Sequence, residues 1–558
     1  MKKSVKIISL VLCILIIVSS FSFAFASEDG GNQYVQIKNA TVYPNVFIRG
    51  NGKKIWNADG TEAYTFTRMG AALSDSSNSK DNIKESVMNV LKPFLIQGAL
   101  TNNWQPYYDA LQKEVGELFD DAILDENGNA QYGTGISQDD KNENEYKMHT
   151  DLAGADGLYD VSNERYTYWY DWRLDPFEIV DGLHEYIENI KKATGKDKVN
   201  IISNCLGTEI ALTYVSKYGT DGIKGMAFEA GTFNGCAFEG EMVSGKFKFD
   251  PAAIDRFLQC QENDSDIEAL DEWRELIDAS LDVLEDSGVF KSGEVSKSYI
   301  YHKLGEGVTS ALALSTSFTF PSYWDSMSSR DYENAKNYVF GPQGSEKRQK
   351  YAGLIAKIDN YDVNVRQKVP ELLKKIASSA NIAIRVNYGY QTMPMCVSAN
   401  ELGDELVLVK DGSLGATTSQ METVLPDDYI QTRISEGKGK YISPDKQIDA
   451  STCLFPDETW FFKNLSHYDW PHDVTKLMAT VIDADKQLTV DDFDVSQFVM
   501  YDEKTEKYTK MTEDNCDVCL WEKKNNNLNF FQKIKRFFES LNKFFKVLFK
   551  YLKEFNKK

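Results

Sequence analysis

Residues 198–215, KVNIISNCLGTEIALTYV, put Cys205 at a tight turn where a short apolar strand ends and a helix begins. Ser203 stands two residues before it and Gly207 two after, both small enough for strand and helix to close around a strained nucleophile. A thiolate held there can attack an acyl carbon. The reaction needs three more parts: an imidazole to take the proton, a carboxylate to orient the imidazole, and two N–H donors for the oxyanion. A helix N-terminus and a neighbouring imidazolium both favour the thiolate form. The blander reading is an inert buried cysteine beside a chance glycine.

Five histidines compete for the role of base. In one recurrent arrangement the acid and then the base follow the nucleophile along the chain. His149 and His184 precede Cys205 and break that order. His184 reads as a surface residue of a helix over 176–195, and His302 falls in a later helical block. His467, at the end of DASTCLFPDETWFFKNLSH, comes where the base belongs; His472, in WPHD, is the fallback. For the acid, Asp404 in ELGDELVLV is preferred because an apolar run follows it, while Asp411-Gly412 resembles a simple turn. Gly50, Asn51 and Gly52 in FIRGNGKK form a loop after the first strand. The backbone N–H groups of Asn51 and Leu206 are the expected oxyanion donors.

These parts need a scaffold. Residues 40–56 predict a buried strand ending in a glycine loop, and YTYWYDWRLDP (166–176) a strand closed by Pro176. An amphipathic helix follows over 176–195, with Gly195 where a C-terminal cap belongs. KVNIIS is the next strand, LGTEIALTYVSKYG the next helix, and NIAIRVNYGYQ (381–391) a further strand. Strands that are apolar without alternation, interleaved with helices, predict a parallel sheet covered on both faces. The expected division is 1–26 signal peptide, 27–239 first part of the core, 240–380 helical cap, 381–475 second part of the core, 476–527 small extension and 528–558 basic amphipathic helix. A hairpin is expected near FVMYDEKTEKYTKM.

With these residues in view, the chain resembles the lecithin:cholesterol acyltransferase-like α/β-hydrolases. YPNVFIRGNGKKIW is similar to that family's P-h-h-h-x-G-h-G-G loop, YDWRLDP to its Y-D-W-R motif, NIISNCLGTEIA to its V-x-L-x-x-H-S-M-G-G elbow and GDELV to its G-D-G-T-V acid loop. His467 takes the family's histidine position. The likeness covers roughly residues 40–230 and 380–470. It implies an α/β-hydrolase fold with an inserted cap, and lipase, phospholipase or acyltransferase chemistry with no metal or cofactor. Cys205 stands where the family has serine, Asn204 where it has histidine, and Lys53-Lys54 replace part of the glycine loop. The chain also resembles dienelactone-hydrolase-type proteins, whose G-x-C-x-G elbow gives cysteine a precedent at that turn.

The start, MKKSVKIISLVLCILIIVSSFSFAFA, reads as a secretory signal peptide cut after Ala26, which predicts a secreted protein. The formal charge of -22 argues against nucleic acid as a partner. Eight cysteines are few for 558 residues, and removing Cys13 leaves an odd number, so an unpaired thiol is expected. Cys516-x-x-Cys519 suggests a local disulfide. The last 31 residues hold nine Lys/Arg and two Glu, with Ile534, Phe538, Leu541, Phe545, Leu548, Leu552 and Phe555 on one helical stripe. Such a helix suits an anionic membrane or envelope surface, the acidic body of the chain, or a copy of itself. Three functions compete: a cysteine-nucleophile acyl-ester hydrolase or acyltransferase acting on lipid-like esters, a catalytically inactive envelope-binding protein, and a cysteine peptidase or amidase.

Overall fold

The computed structural model describes residues 37–516 apart from 51–53, 65–88, 91, 100, 119, 150–151, 153–156, 251, 254–255, 257–296, 328–330, 503–504 and 506. The expectations for residues 1–26, Asn51, Lys53, Cys519 and 528–558 lie outside the described residues.

Eight strands form the central sheet: β1 (Asn45–Ile48), β2 (Tyr166–Tyr168), β3 (Val199–Cys205), β4 (Ile223–Gly231), β5 (Asn381–Tyr388), β6 (Thr459–Lys463), β7 (Phe498–Asp502) and β8 (Lys507–Lys510). Their spatial order is 2-1-3-4-5-6-7-8. All neighbours run parallel except β7 and β8, an antiparallel hairpin with Val499 opposite Lys510. A parallel sheet needs both faces covered, and every residue of β5 is buried accordingly.

The principal helices are α1 (Gln105–Leu118), α2 (Pro176–Thr194), α3 (Gly207–Tyr218), α4 (Ala237–Val243), α5 (Lys297–Ser315), α6 (Pro321–Asp325), α7 (Ala352–Asn364), α8 (Val369–Ser379) and α9 (His472–Asp483). Helix α9 lies on one face of the sheet: Val474, Leu477, Met478 and Val481 pack with Phe47, Ile202, Ala227, Ala383 and Phe462. The other face carries Val46, Ile48, Ile201, Met226, Phe228 and Ile384, packed with α2 and α3. Alternate residues of each strand therefore serve opposite cores, the period-2 geometry of an extended chain.

The expected strand over 166–176 is shorter than its sequence suggested. It ends at Tyr168, and Pro176 opens α2 rather than closing the strand. Between them the chain turns so that Arg173, fully buried, donates from Nε to Asp171 at 3.0 Å, from Nη1 to the Ala122 carbonyl at 2.6 Å and from Nη2 to Thr134 at 3.1 Å. These bonds need a loop, because a strand would commit the same backbone to the sheet. Asp175 then caps α2 by accepting from the Phe177 N–H at 3.0 Å, with Pro176 in the first turn. Trp172 stacks on Tyr323 of α6 with ring centroids 5.7 Å apart, tying this loop to the later helices.

Candidate active site

Strand β3 delivers Cys205 into a backbone conformation with φ 48°, a region that non-glycine residues enter at a cost. The strain turns the side chain out of the sheet at the mouth of α3. Gly207 is what lets the turn close: a Cβ there would lie 2.1 Å from the Ile48 carbonyl oxygen at the end of β1. Cys205 is partly exposed and unbridged. Three of the buried thiols differ. Burial pushes Cys236 and Cys396 well above the usual thiol range and Cys453 up to about 12, so these three stay protonated.

The loop after β6 brings His467 beneath this turn, 2% exposed. Its Nδ1 lies 3.0 Å from Asp404 Oδ2, and its backbone N–H donates to the Asp404 carbonyl, also at 3.0 Å. Asp404 is itself held, with Oδ1 accepting from Val407 N–H at 2.8 Å and Leu406 N–H at 3.3 Å. Nε2 of His467 meets no hydrogen-bonding partner at standard geometry, and the Cys205 thiol interacts with the ring from that side. Burial alone would lower the imidazole pKa. The charges of Asp404 and Cys205 outweigh it and hold the pKa well above the ordinary 6.5. The pair thus favours an imidazolium next to sulfur.

Of the alternatives, Asp411 sits in a short helical turn (Val409–Gly412) and His472 at the first position of α9; the carboxylate at His467 Nδ1 is that of Asp404. Leu206 stands at the N-terminal end of α3, where helix N–H groups have no carbonyl partner within the helix. The loop bearing Asn51 is described only up to Gly50. A Cβ on Gly50 would come within 2.8 Å of Cys205 Cβ and 3.3 Å of its sulfur, so Gly50 packs directly against the nucleophile.

Four contributors escaped the sequence reading. Asn204 accepts from the Gly50 N–H at 2.9 Å and so ties the loop to the elbow; its place beside Cys205 was the available signal. Thr232, after β4, is placed to donate either to the Cys205 carbonyl or to Glu209 Oε1, both at 3.0 Å. Glu209 of α3 is 1% exposed, and burial pushes its pKa up to about 8 despite hydrogen bonds from Ser326 and Thr232. Arg385 is a lone cation in the apolar run of β5. Among the described residues, no group of three or more His, Cys, Asp or Glu is arranged to hold a metal ion.

Residues 131–373 match a protein family described as alpha/beta hydrolase fold. With the mostly parallel eight-stranded sheet, helices on both faces and the strand–turn–helix at Cys205, the match settles the architecture. This is an α/β-hydrolase fold. The match supports a hydrolase-type activity. A solved structure titled "The crystal structure of Tle4-Tli4 complex" is similar at 11% identity and a TM-score of 0.24, over 62% of this chain and 75% of that one. No curated protein matches the chain.

Proposed function

We propose that this protein is a secreted acyl-ester hydrolase or O-acyltransferase of the lecithin:cholesterol acyltransferase-like type, working through Cys205, His467 and Asp404. The observation carrying this reading is a strained, partly exposed cysteine beside a buried imidazole whose other nitrogen is bound to a carboxylate. The Cys205 sulfur attacks the ester carbonyl carbon while its proton resides on His467 Nε2. The carbonyl oxygen becomes an oxyanion facing the N–H groups of Leu206 and of Asn51 in the loop after β1. As the C–O bond breaks, Nε2 gives its proton to the departing alcohol, leaving a thioester. Water or an acceptor alcohol, deprotonated by the same nitrogen, then attacks the thioester and releases the acid or a new ester and the free thiol. Asp404 holds the ring by its Nδ1–H, so that Nε2 faces the sulfur through both proton transfers. The substrate class is a lipid-like ester, and residues 528–558 make a membrane-surface or envelope contact.

Intact mass after brief incubation with an activated ester tests the reading: wild type gains one acyl group, Cys205→Ala gains none. Cys205→Ser distinguishes a required thiol from a merely required nucleophile. Equal turnover by wild type and Cys205→Ala would overturn the assignment and leave a binding role for the fold.

A further inference from the structure

Arg385 lies in the middle of β5. It is fully buried, yet among the described residues none of its three guanidinium nitrogens has a hydrogen-bond partner. The contrast with Arg173 is direct, since that buried guanidinium is bonded through all three nitrogens. A buried cation without hydrogen bonds is retained only when something else holds it. The carboxylates of Glu229, Asp404 and Asp469 and one aromatic ring do so here. Glu229 stands opposite Arg385 in the β4–β5 register, fully buried, with one oxygen 4.0 Å from Arg49. The ring of Trp470 lies 4.6 Å from the Arg385 guanidinium carbon, and Arg49 also sits over that ring at 5.6 Å. Burial lowers the Arg385 pKa from its ordinary value, and the charges of Glu229, Asp404 and Asp469 oppose that.

Trp470 belongs to the loop between β6 and α9 that carries His467. The two rings meet edge to face, with centroids 6.4 Å apart and planes at 80°. Hydrogen bonds fix one edge of the imidazole through Asp404 and leave its tilt to packing against Trp470 and against Tyr468, whose ring centroid is 5.5 Å away at 78°. We propose that Arg385 is a positioning residue: it holds the Trp470 indole by cation–π contact, and through it sets the His467 imidazole against Cys205. A guanidinium suits this task because it attracts the face of an indole strongly and, buried in the sheet, does not move.

The inference rests on the triad reading above, so its test includes a readout independent of turnover. In full-length protein labelled at histidine ring carbons, the His467 resonance is identified among five histidines by its loss in His467→Gln. It shifts or broadens in Arg385→Met and returns toward its wild-type position in Arg385→Lys. With an activated ester, Arg385→Met lowers kcat by about 100-fold at unchanged KM, the size expected for a displaced catalytic group. The double variant Arg385→Met, Trp470→Ala is no slower than Trp470→Ala alone, because both act through one contact. Should Arg385→Met fail to fold, Arg385→Lys and Trp470→Phe carry the comparison, each with a smaller displacement of the His467 resonance. An unmoved His467 resonance in the folded variants, or losses that multiply in the double variant, would overturn the proposal. A wild type without turnover would count against the proposed function alone, because the resonance still reports the ring.

Discussion

Glu209→Gln separates a buried carboxyl from a buried charge at constant shape. Glu209 Oε1 accepts from Ser326 at 2.8 Å and Thr232 at 3.0 Å, while Oε2 has no partner. Burial raises its pKa from 4.5 to about 8, so near pH 7 the folded protein keeps a proton that the unfolded chain has released. Where the folded state binds more protons than the unfolded one, stability falls as pH rises. The contribution is fully present below pH 4.5 and is lost progressively up to pH 8. At 1.36 kcal/mol per pKa unit, the rise from 4.5 to about 8 amounts to about 5 kcal/mol. Glutamine reproduces the protonated carboxyl and has nothing to lose. The variant should therefore match wild type within about 1 kcal/mol at pH 4.5 and exceed it by several at pH 8.5. Asp325, whose carboxyl is also driven well up by burial and then by the charge of Glu209, ionises more readily in the folded variant once that charge is gone, so the observed gain is at least the full value. Urea unfolding of both proteins at half-unit steps from pH 4.5 to 8.5 measures the difference. A difference that stays constant with pH would refute the reasoning.

Other changes probe the site itself. Asp404→Asn keeps the oxygen that Val407 and Leu406 N–H groups bind but favours the wrong imidazole tautomer; ester turnover should fall by about 10³–10⁴ with little change in melting temperature. Asn204→Ala leaves the Gly50 N–H without its acceptor and loosens the loop beside the nucleophile, so kcat should drop at least about tenfold in steady-state assays while KM holds. Gly207→Ala places a methyl 2.1 Å from the Ile48 carbonyl, and the forced shift should cost about 3 kcal/mol of stability by denaturant titration. Because Asp404 and Cys205 hold the His467 pKa well above 6.5, Asp404→Asn should also slow alkylation of Cys205 near neutral pH, measured by mass spectrometry.

The parts most legible in the sequence are those where geometry leaves few residue choices. A strand buried on both faces is apolar at most of its positions, without alternation, and β3 and β5 were readable for that reason despite Asn200 and Arg385. Cys205 announced itself because a strained turn between strand and helix demands Gly207 beside it. The order of groups along the chain led to Asp404 and His467, which lie 3.0 Å apart. What stayed hidden depends on partners distant in sequence. Nothing in YTYWYDWRLDP says that Arg173 reaches the Ala122 carbonyl or that the strand stops at Tyr168. Asn204 acquires its role only when Gly50 arrives from 154 residues away. Arg385 and Trp470 meet only after β5 and the loop before α9 are packed together.

The hairpin of β7 and β8 closes one margin of the sheet. Its outermost strand reads Lys507-Tyr508-Thr509-Lys510, with Lys507, Thr509 and Lys510 exposed. An open strand edge is a template on which a second molecule can add its own strand and begin a fibril. Two lysines at that margin make such an approach bring like charges together in poorly solvated contact. At the opposite margin, β2 is only three residues long and wholly buried, too short to seed pairing. The same sheet that presents Cys205 is thereby kept from becoming a nucleus for aggregation.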